Sequence, residues 1–340
     1  MKKEHRFRLS EIFSKYYERV AVARSTSLSR YTYVVIFFLL VLPAIGIYWS
    51  TEPNLIEGFD SRTNPIPGTA TVSVLSDVVE VLLHKPGGFL SNDVTPPSIW
   101  LDNIPSWEFG VLVQVRDLSK ALRESFSRSQ SQSQEDLDLA LAEPRFNVDH
   151  RSWAVPWPER EYAEGQTFLQ NYLLRLQDSG QNHPAEFFAR ADNLRYWLST
   201  VETRLGSLSQ RLSASVGQRR IDGLPDSNER SRRGQDNVIK TPWLLVDNVF
   251  YEARGATWAL LHFLRAVQVD FADVLQKKSA ATSLQQIVHE LEMSQHPVNA
   301  PLIVNGQGFG LFANHSLVMA SYISRANAAL IDLRELLSKG

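Results

Sequence analysis

Apolar residues recur along this chain in three distinct rhythms. Between Tyr31 and Trp49, in YTYVVIFFLLVLPAIGIYW, they occupy nearly every position and no residue is charged. At about 1.5 Å per residue, a helix of this length nearly crosses a hydrocarbon core of about 30 Å. From Thr69 to His84 the rhythm changes. Leu75, Val78, Val79, Leu82 and Leu83 recur three and four apart, which predicts an amphipathic helix stopped by Lys85-Pro86-Gly87-Gly88. The third rhythm is a heptad. Phe187, Ala191, Leu194, Leu198, Val201, Leu205, Leu208 and Leu212 alternate spacings of four and three. They predict a helix of roughly 33 residues with Pro184 in its first turn.

The same heptad spacing predicts a long helix from Thr241-Pro242 through Val246, Val249, Ala253, Ala256, Leu260, Phe263 and Val267, with a stutter at Phe271 and Val274. Another closes the chain along Met319, Ile323, Ala326, Leu330, Leu333 and Leu337. Shorter helices are predicted at 107–128, 159–177 and 281–293, and no run alternates with the period of a strand. The fold expected is all-α. One N-terminal transmembrane helix is followed by a bundle of long, heptad-patterned antiparallel helices with two long ordered loops.

Punctuation divides the chain into a basic segment (1–30), a transmembrane signal anchor (31–50), a linker (51–68) and a helical domain (69–340). The linker, TEPNLIEGFDSRTNPIPG, is rich in Pro, Gly and Asn and is expected to lift the body off the membrane. Ser125–Glu143 and Gln218–Asn237 read as solvated turns between helices. Within 5–22, apolar residues among basic ones suit a helix lying on an anionic leaflet or a tail that sets topology.

Charge then orients the chain. Residues 1–30 carry eight Lys or Arg against three Asp or Glu, while the segment after Trp49 is mostly acidic. The positive-inside rule places the N-terminus in the cytoplasm and the body on the far side. Ala44-Ile45-Gly46 is a small-x-small triplet of the kind a signal peptidase cuts. The long charged region before the apolar run and the run's continuation past the triplet favour retention. The net charge is -2, so the acidic body has no general attraction for phosphate backbones and nucleic acid is not an expected partner. Cysteine is absent, which excludes thiol catalysis and disulfides.

Common catalytic patterns fail one by one. HELEM begins like a zinc-protease helix at His289 but has Met293 where the second histidine must stand. NGQGFG, from Asn305, has the wrong spacing for a dinucleotide loop, and no nucleophile elbow is present. No metal or cofactor is expected. What stands out is KPGGFLSNDVTPPSIWLDNIPSWEFG, residues 85–110. It is long for a bundle connection, yet apolar enough to order itself. Trp100 and Trp107 are expected to bury against the body, with the acids near water. Asp93, Asp102 and Glu108 are the candidate acid–base groups. Asn92, Trp100 and Trp107, with Asn305 and Asn314 from the second irregular stretch (296–316), are the candidate binding residues. The alternative is that the loop only plugs one end of the bundle.

KPGGFLSNDVTPP, LDNIPSWEFGVLVQVRDLSKALR, FSRSQSQSQEDLDLALAEPRF and RLGSLSQRLSASVGQ resemble a family of membrane-anchored proteobacterial proteins catalogued as domain of unknown function 2333. The resemblance implies a Gram-negative inner membrane and a periplasmic body, and it brings no catalytic residues with it. The function expected is an envelope interaction protein, its partner a protein or a second copy. An envelope hydrolase acting on peptidoglycan and an apolar-ligand binder are the alternatives.

Overall fold

The computed structural model describes residues 31–56, 66–129, 134–178, 184–219, 238–298, 303 and 314–339. The fold is all-α, with one apolar N-terminal helix. That helix, α1, is Tyr31–Trp49. The body follows as α2 (Thr69–His84), α3 (Asn103–Ala121), α4 (Leu137–Phe146), α5 (Pro158–Gln177), α6 (Ala191–Ser213), α7 (Val246–Asp270), α8 (Ala272–Lys277), α9 (Ala281–Ser294) and α10 (His315–Ser338). A π-helical turn, Leu122–Phe126, prolongs α3. Gln218–Arg219 pairs antiparallel with Val238–Ile239, a two-residue ribbon beside the bundle.

The centre of the body is the crossing of α3 and α7. A methyl group at Gly110 would stand 2.1 Å from Glu252 O, and one at Gly255 would stand 2.0 Å from Trp107 O. Only hydrogen at these two positions lets the backbones touch. Trp107 and Trp258 fill the space beside the contact, with ring centroids 5.2 Å apart. On one side α6 packs along α10. Arg334 pairs with Glu202, and Ser209 meets Ser324 further along, so the two helices run in opposite directions. The stripe Leu194, Leu198, Val201, Leu205, Leu208 and Leu212 is buried in this packing. Burying one such side chain is worth about 1.5–3 kcal/mol. An exposed ion pair is worth less than about 1 kcal/mol, so the stripe rather than surface charge holds α6 in place.

Helix ends are satisfied by other elements as well as by local caps. Asp270, at the end of α7, accepts from Thr71 N at 2.7 Å and Thr71 Oγ1 at 2.6 Å, serving the first turn of α2. Asp136 caps α4 and also pairs with Arg175. Arg116 of α3 donates to Phe146 O at 2.6 Å and Val148 O at 2.9 Å, closing the carbonyl end of α4 with a cation.

Several expectations need correction. The helix foreseen from Pro184 begins at Ala191, because 184–190 are not helical and turn tightly at the end, where Arg190 N donates to Phe188 O at 2.9 Å. Phe187 leaves the stripe to pack against Phe126 and Phe271, at 5.4 and 5.7 Å. The helix foreseen from Thr241-Pro242 begins at Val246, after a 3-10 turn at Trp243–Leu245. The supposed turn 125–143 holds most of α4, whose Leu139, Ala142 and Phe146 are buried. The linker is not a spacer over its first residues. Glu52 pairs with Arg254 at 2.8 Å, Asn54 O accepts from Trp258 Nε1 at 3.3 Å, and Ile56 N donates to His262 Nε2 at 2.8 Å. Residues 51–56 are thus fixed along α7. The basic segment 1–30, most of the turn 218–237 and most of the stretch 296–316 lie outside the described residues.

Candidate functional site

Residues 85–102 fold around one buried ion pair. Lys85 Nζ lies 2.5 Å from Glu108 Oε1, and both side chains are closed off from solvent. Lys85 also donates to Gly88 O. Glu108 accepts from Leu90 N and Ser91 N, each at 2.8 Å, and from Ser91 Oγ at 2.5 Å. Burial pushes the Glu108 carboxyl up, and Lys85, Ser91 and Leu90 pull it back. Four donors surround its two oxygens, so Glu108 is a structural acceptor. The acid that the sequence put near water is the most buried of the three.

The loop divides at Asn103. Beyond it, α3 has begun, so Ile104, Trp107 and Glu108 are buried helical residues. Before it, Gly87 and Gly88 take positive φ, and a 3-10 turn at Ser98–Trp100 returns the chain to α3. Trp100, expected inside, is exposed, as is Ile99. The reason is local. Ser98 is buried, and its hydroxyl donates to Leu90 O at 3.4 Å, which turns Ile99 and Trp100 outward.

The turn is the seat of α1. A methyl at Gly46 would lie 3.6 Å from Pro97 Cβ and 3.7 Å from Leu101 Cδ2. The Trp49 ring covers Gly87 so closely that a Cβ there would stand 2.7 Å from Trp49 Cγ. Leu42, Pro43, Gly46 and Ile47 of α1 share a crevice with Pro97, Trp100 and Leu101. The stretch that looked like an unexplained connection is a socket for the end of the apolar helix.

Beside the socket lies a groove of about 430 Å³ between the 90–102 turn, the 149–151 turn and the start of α7. Asp93 and Asp102 both line it, with His150, Arg151, Asn248 and Glu252. Burial, then the nearby Glu159, pushes the Asp93 carboxyl above its usual range. Burial and Asp247 do the same to Asp102. With its amide assigned by hydrogen bonding, Asn248 donates to Asp102 Oδ2 at 3.1 Å. His150 stacks on Phe109 with ring centroids 4.7 Å apart, and burial beside Arg151 and Arg116 lowers its pKa to about 4. The groove thus joins two carboxyls of raised pKa to a neutral imidazole and an exposed guanidinium.

Of the other candidates, Asn92 fastens the turn to α5, donating to Glu159 Oε1 and Oε2 at 3.0 Å each and to Ser152 O at 3.2 Å. Asn314 caps α10 by accepting from Leu317 N at 2.9 Å. It also lines a separate cavity of about 270 Å³ with Phe250, Arg254, Met293 and Tyr322. Asn305 lies outside the described residues. Sequence reasoning missed two exposed turns, Trp153-Ala154-Val155-Pro156-Trp157 and Trp243-Leu244-Leu245. The signal was there, as tryptophans beside prolines: Trp153 and Trp157 around Pro156, and Trp243 after Pro242. Neither solved structures nor curated proteins give a match to this chain. The model of one family, described as an uncharacterized protein conserved in bacteria, DUF2333, matches residues 22–340. That span takes in the whole of the described body together with its apolar helix, and the chain therefore belongs to the DUF2333 family of bacterial proteins.

Proposed function

We propose that this protein is a membrane-seated interaction module of the bacterial inner membrane. In this reading α1 stays attached as an anchor, the N-terminus is cytoplasmic and the helical body stands on the periplasmic side. Its role is to hold an envelope partner at a fixed height above the bilayer. The observation that carries the reading is the packing of α1 into the body, with Gly46 on Pro97 and Leu101 and Trp49 on Gly87. Cutting after Gly46 would remove a helix whose last turns belong to the body's packing. Residues 51–56, stitched to α7, remove the slack that a free tether would have. The filled interior also favours an interaction surface over a carrier. Trp107, Trp197, Trp258, Phe126, Phe263 and Phe271 occupy it.

Four measurements test this. Intact mass should show a chain that keeps residues 31–49, and alkaline carbonate should leave it in the membrane. The chain has no cysteine, so Thr203→Cys offers one exposed thiol on the body. It should react with a membrane-impermeant maleimide from the periplasmic side. Crosslinking in intact membranes should trap a partner. A soluble chain beginning after Gly46, or a lone monomer under every crosslinking condition, would count against the reading.

A hydrolase is the second reading, favoured by one observation: Asp93 and Asp102 share a groove and both hold their protons more tightly than usual. Such a carboxyl suits a general acid. Loss of peptidoglycan cleavage in Asp93→Asn or Asp102→Asn, with Tm unchanged, would favour it. Equal activity in both variants and the parent would remove it.

A further inference from the structure

Four of the eight tryptophans stand in solvent. Trp100 is 64% exposed, Trp153 69%, Trp157 60% and Trp243 77%. Their neighbours Val155 and Leu244 are comparably open. Large apolar side chains left open in this number mark a surface made for something other than water. They lie in three turns, and the three turns adjoin. Ile99 and Leu101 of the first meet Arg151 of the second and Leu245 of the third around the same groove. Val94 of the first turn shares another groove with Trp153 and Trp157. The three turns are therefore neighbours around two shared grooves, whose linings also carry Asp93, Asp102, Arg151 and Glu252.

The position of α1 says what covers it. Trp100 shares a crevice with Leu42, Pro43, Gly46 and Ile47. Leu42 precedes Trp49 by seven positions, about 10 Å along the helix axis. Trp100 thus stands level with the last two turns of the apolar helix rather than beyond its end. A bilayer that accepts α1 up to Tyr48 and Trp49 must meet Trp100 at the depth where indole rings prefer to sit, half apolar and half wet. The turns beside it carry tryptophan, proline and aliphatic residues, the composition of an interfacial contact.

We infer that the turns bearing Trp100, Trp153, Trp157 and Trp243 form a second membrane contact, which dips into the lipid headgroup region around the anchor and fixes the tilt of the body on the bilayer. The occupant of this apolar surface is phospholipid. The inference rests on the reading of α1 as a retained anchor, and its test separates the two.

The full chain, carrying one cysteine at a time, is reconstituted into phosphatidylethanolamine–phosphatidylglycerol vesicles and labelled with a nitroxide. Positions 100, 153, 157 and 243 probe the contact, position 39 probes the anchor, and position 203 serves as the aqueous reference. These sites are exposed, so the label displaces nothing in the core. Collision with oxygen, which concentrates in lipid, is compared with collision with a water-soluble nickel chelate. The expected result is oxygen-dominated relaxation at 39 and at the four contact sites, and chelate-dominated relaxation at 203. Lipid values at 39 with water values at the four sites would overturn the contact while leaving the anchor standing. Shielding from both reagents at the four sites would mean that another protein surface covers them, which also overturns it. Water values at 39 would overturn the anchor reading itself.

Discussion

Trp107, Trp197 and Trp258 lie in helices and are closed off from solvent, whereas Trp100, Trp153, Trp157 and Trp243 lie in turns and stand open to it. The first group is ordered by packing. Trp107 sits where α3 and α7 touch backbone to backbone, and every atom around it belongs to the protein. Of the second group, Trp100 rides on a turn fixed from beneath by buried Ser98, Lys85 and Glu108. The same side chain therefore reports two environments. In the core it contributes to folding, and at the α1 end it is available to a surrounding medium. The three acids of the same loop divide likewise. Glu108 is consumed by structure, and Asp93 and Asp102 face a groove.

The widest separation is expected from paired truncations. Trp107→Ala should cost about 3–5 kcal/mol in chemical denaturation, the range for removing a large aromatic from a packed core. Trp153→Ala should stay within about 0.5 kcal/mol in detergent, where no bilayer contact is made. A comparable loss in both would erase the distinction. Glu108→Ala should come next. Removing one partner of a buried pair costs about 3–5 kcal/mol, and the lower end applies because Lys85 keeps Gly88 O as an acceptor. Asp102→Asn, at the groove, should lie within about 0.5 kcal/mol by the same measurement.

Acid should act on the strap that ties α1 to the body. His262 is held neutral by burial, with its pKa lowered from 6.5 to about 4. Its Nδ1 donates to Trp258 O at 2.7 Å, leaving Nε2 to accept from Ile56 N at 2.8 Å. A histidine with a depressed folded pKa contributes stability that is complete above its unfolded value and is lost as pH falls through the window from 6.5 to 4. The loss expected is roughly 3 kcal/mol. Protonation also removes the acceptor for Ile56, so residues 51–56 should gain amide exchange first. His262→Gln keeps an acceptor without titrating, and should flatten the slope of denaturation free energy against pH. An unchanged slope would mean that other groups set it. A smaller effect than at His262 is expected at the start of α10, where Asn314→Ala should cost about 1 kcal/mol through loss of one cap, read as a modest fall in Tm.

Much of this fold is legible from spacing. The bounds Thr69–His84 follow from a clean apolar stripe and the Pro-Gly-Gly stop behind it. The shorter helices at 159–177 and 281–293 differ from α5 and α9 by single residues at their ends. Spacing fails where tertiary contact outweighs it. Phe187 fits the heptad, yet two partner rings hold it outside the helix. Leu137–Phe146 is masked by the Ser- and Gln-rich run before it; its buried face is Leu139, Ala142 and Phe146, and long-range pairing of Arg175 with Asp136 and Asp138 completes it. The sequence marks 85–110 as ordered and unusual, and it cannot display that Gly46 and Trp49, some fifty positions earlier, are what the turn was shaped to receive. Glu108 and Trp107 were grouped with the loop because helical period is hard to see across the boundary at Asn103.

The account depends most on α1 and the 97–101 turn forming one packed unit in the native membrane. In this cysteine-free chain, Gly46→Cys and Leu101→Cys can be introduced together and treated in isolated membranes with a short bifunctional methanethiosulfonate reagent. The Leu101 side chain reaches within 3.7 Å of a methyl at position 46, so a single-chain bridge joining the two peptides is predicted by mass spectrometry. The pair Gly46→Cys and Thr203→Cys should remain unbridged. Separate modification of both thiols at 46 and 101, with no bridged peptide, would show that the helix is loosely tethered and would contradict the account.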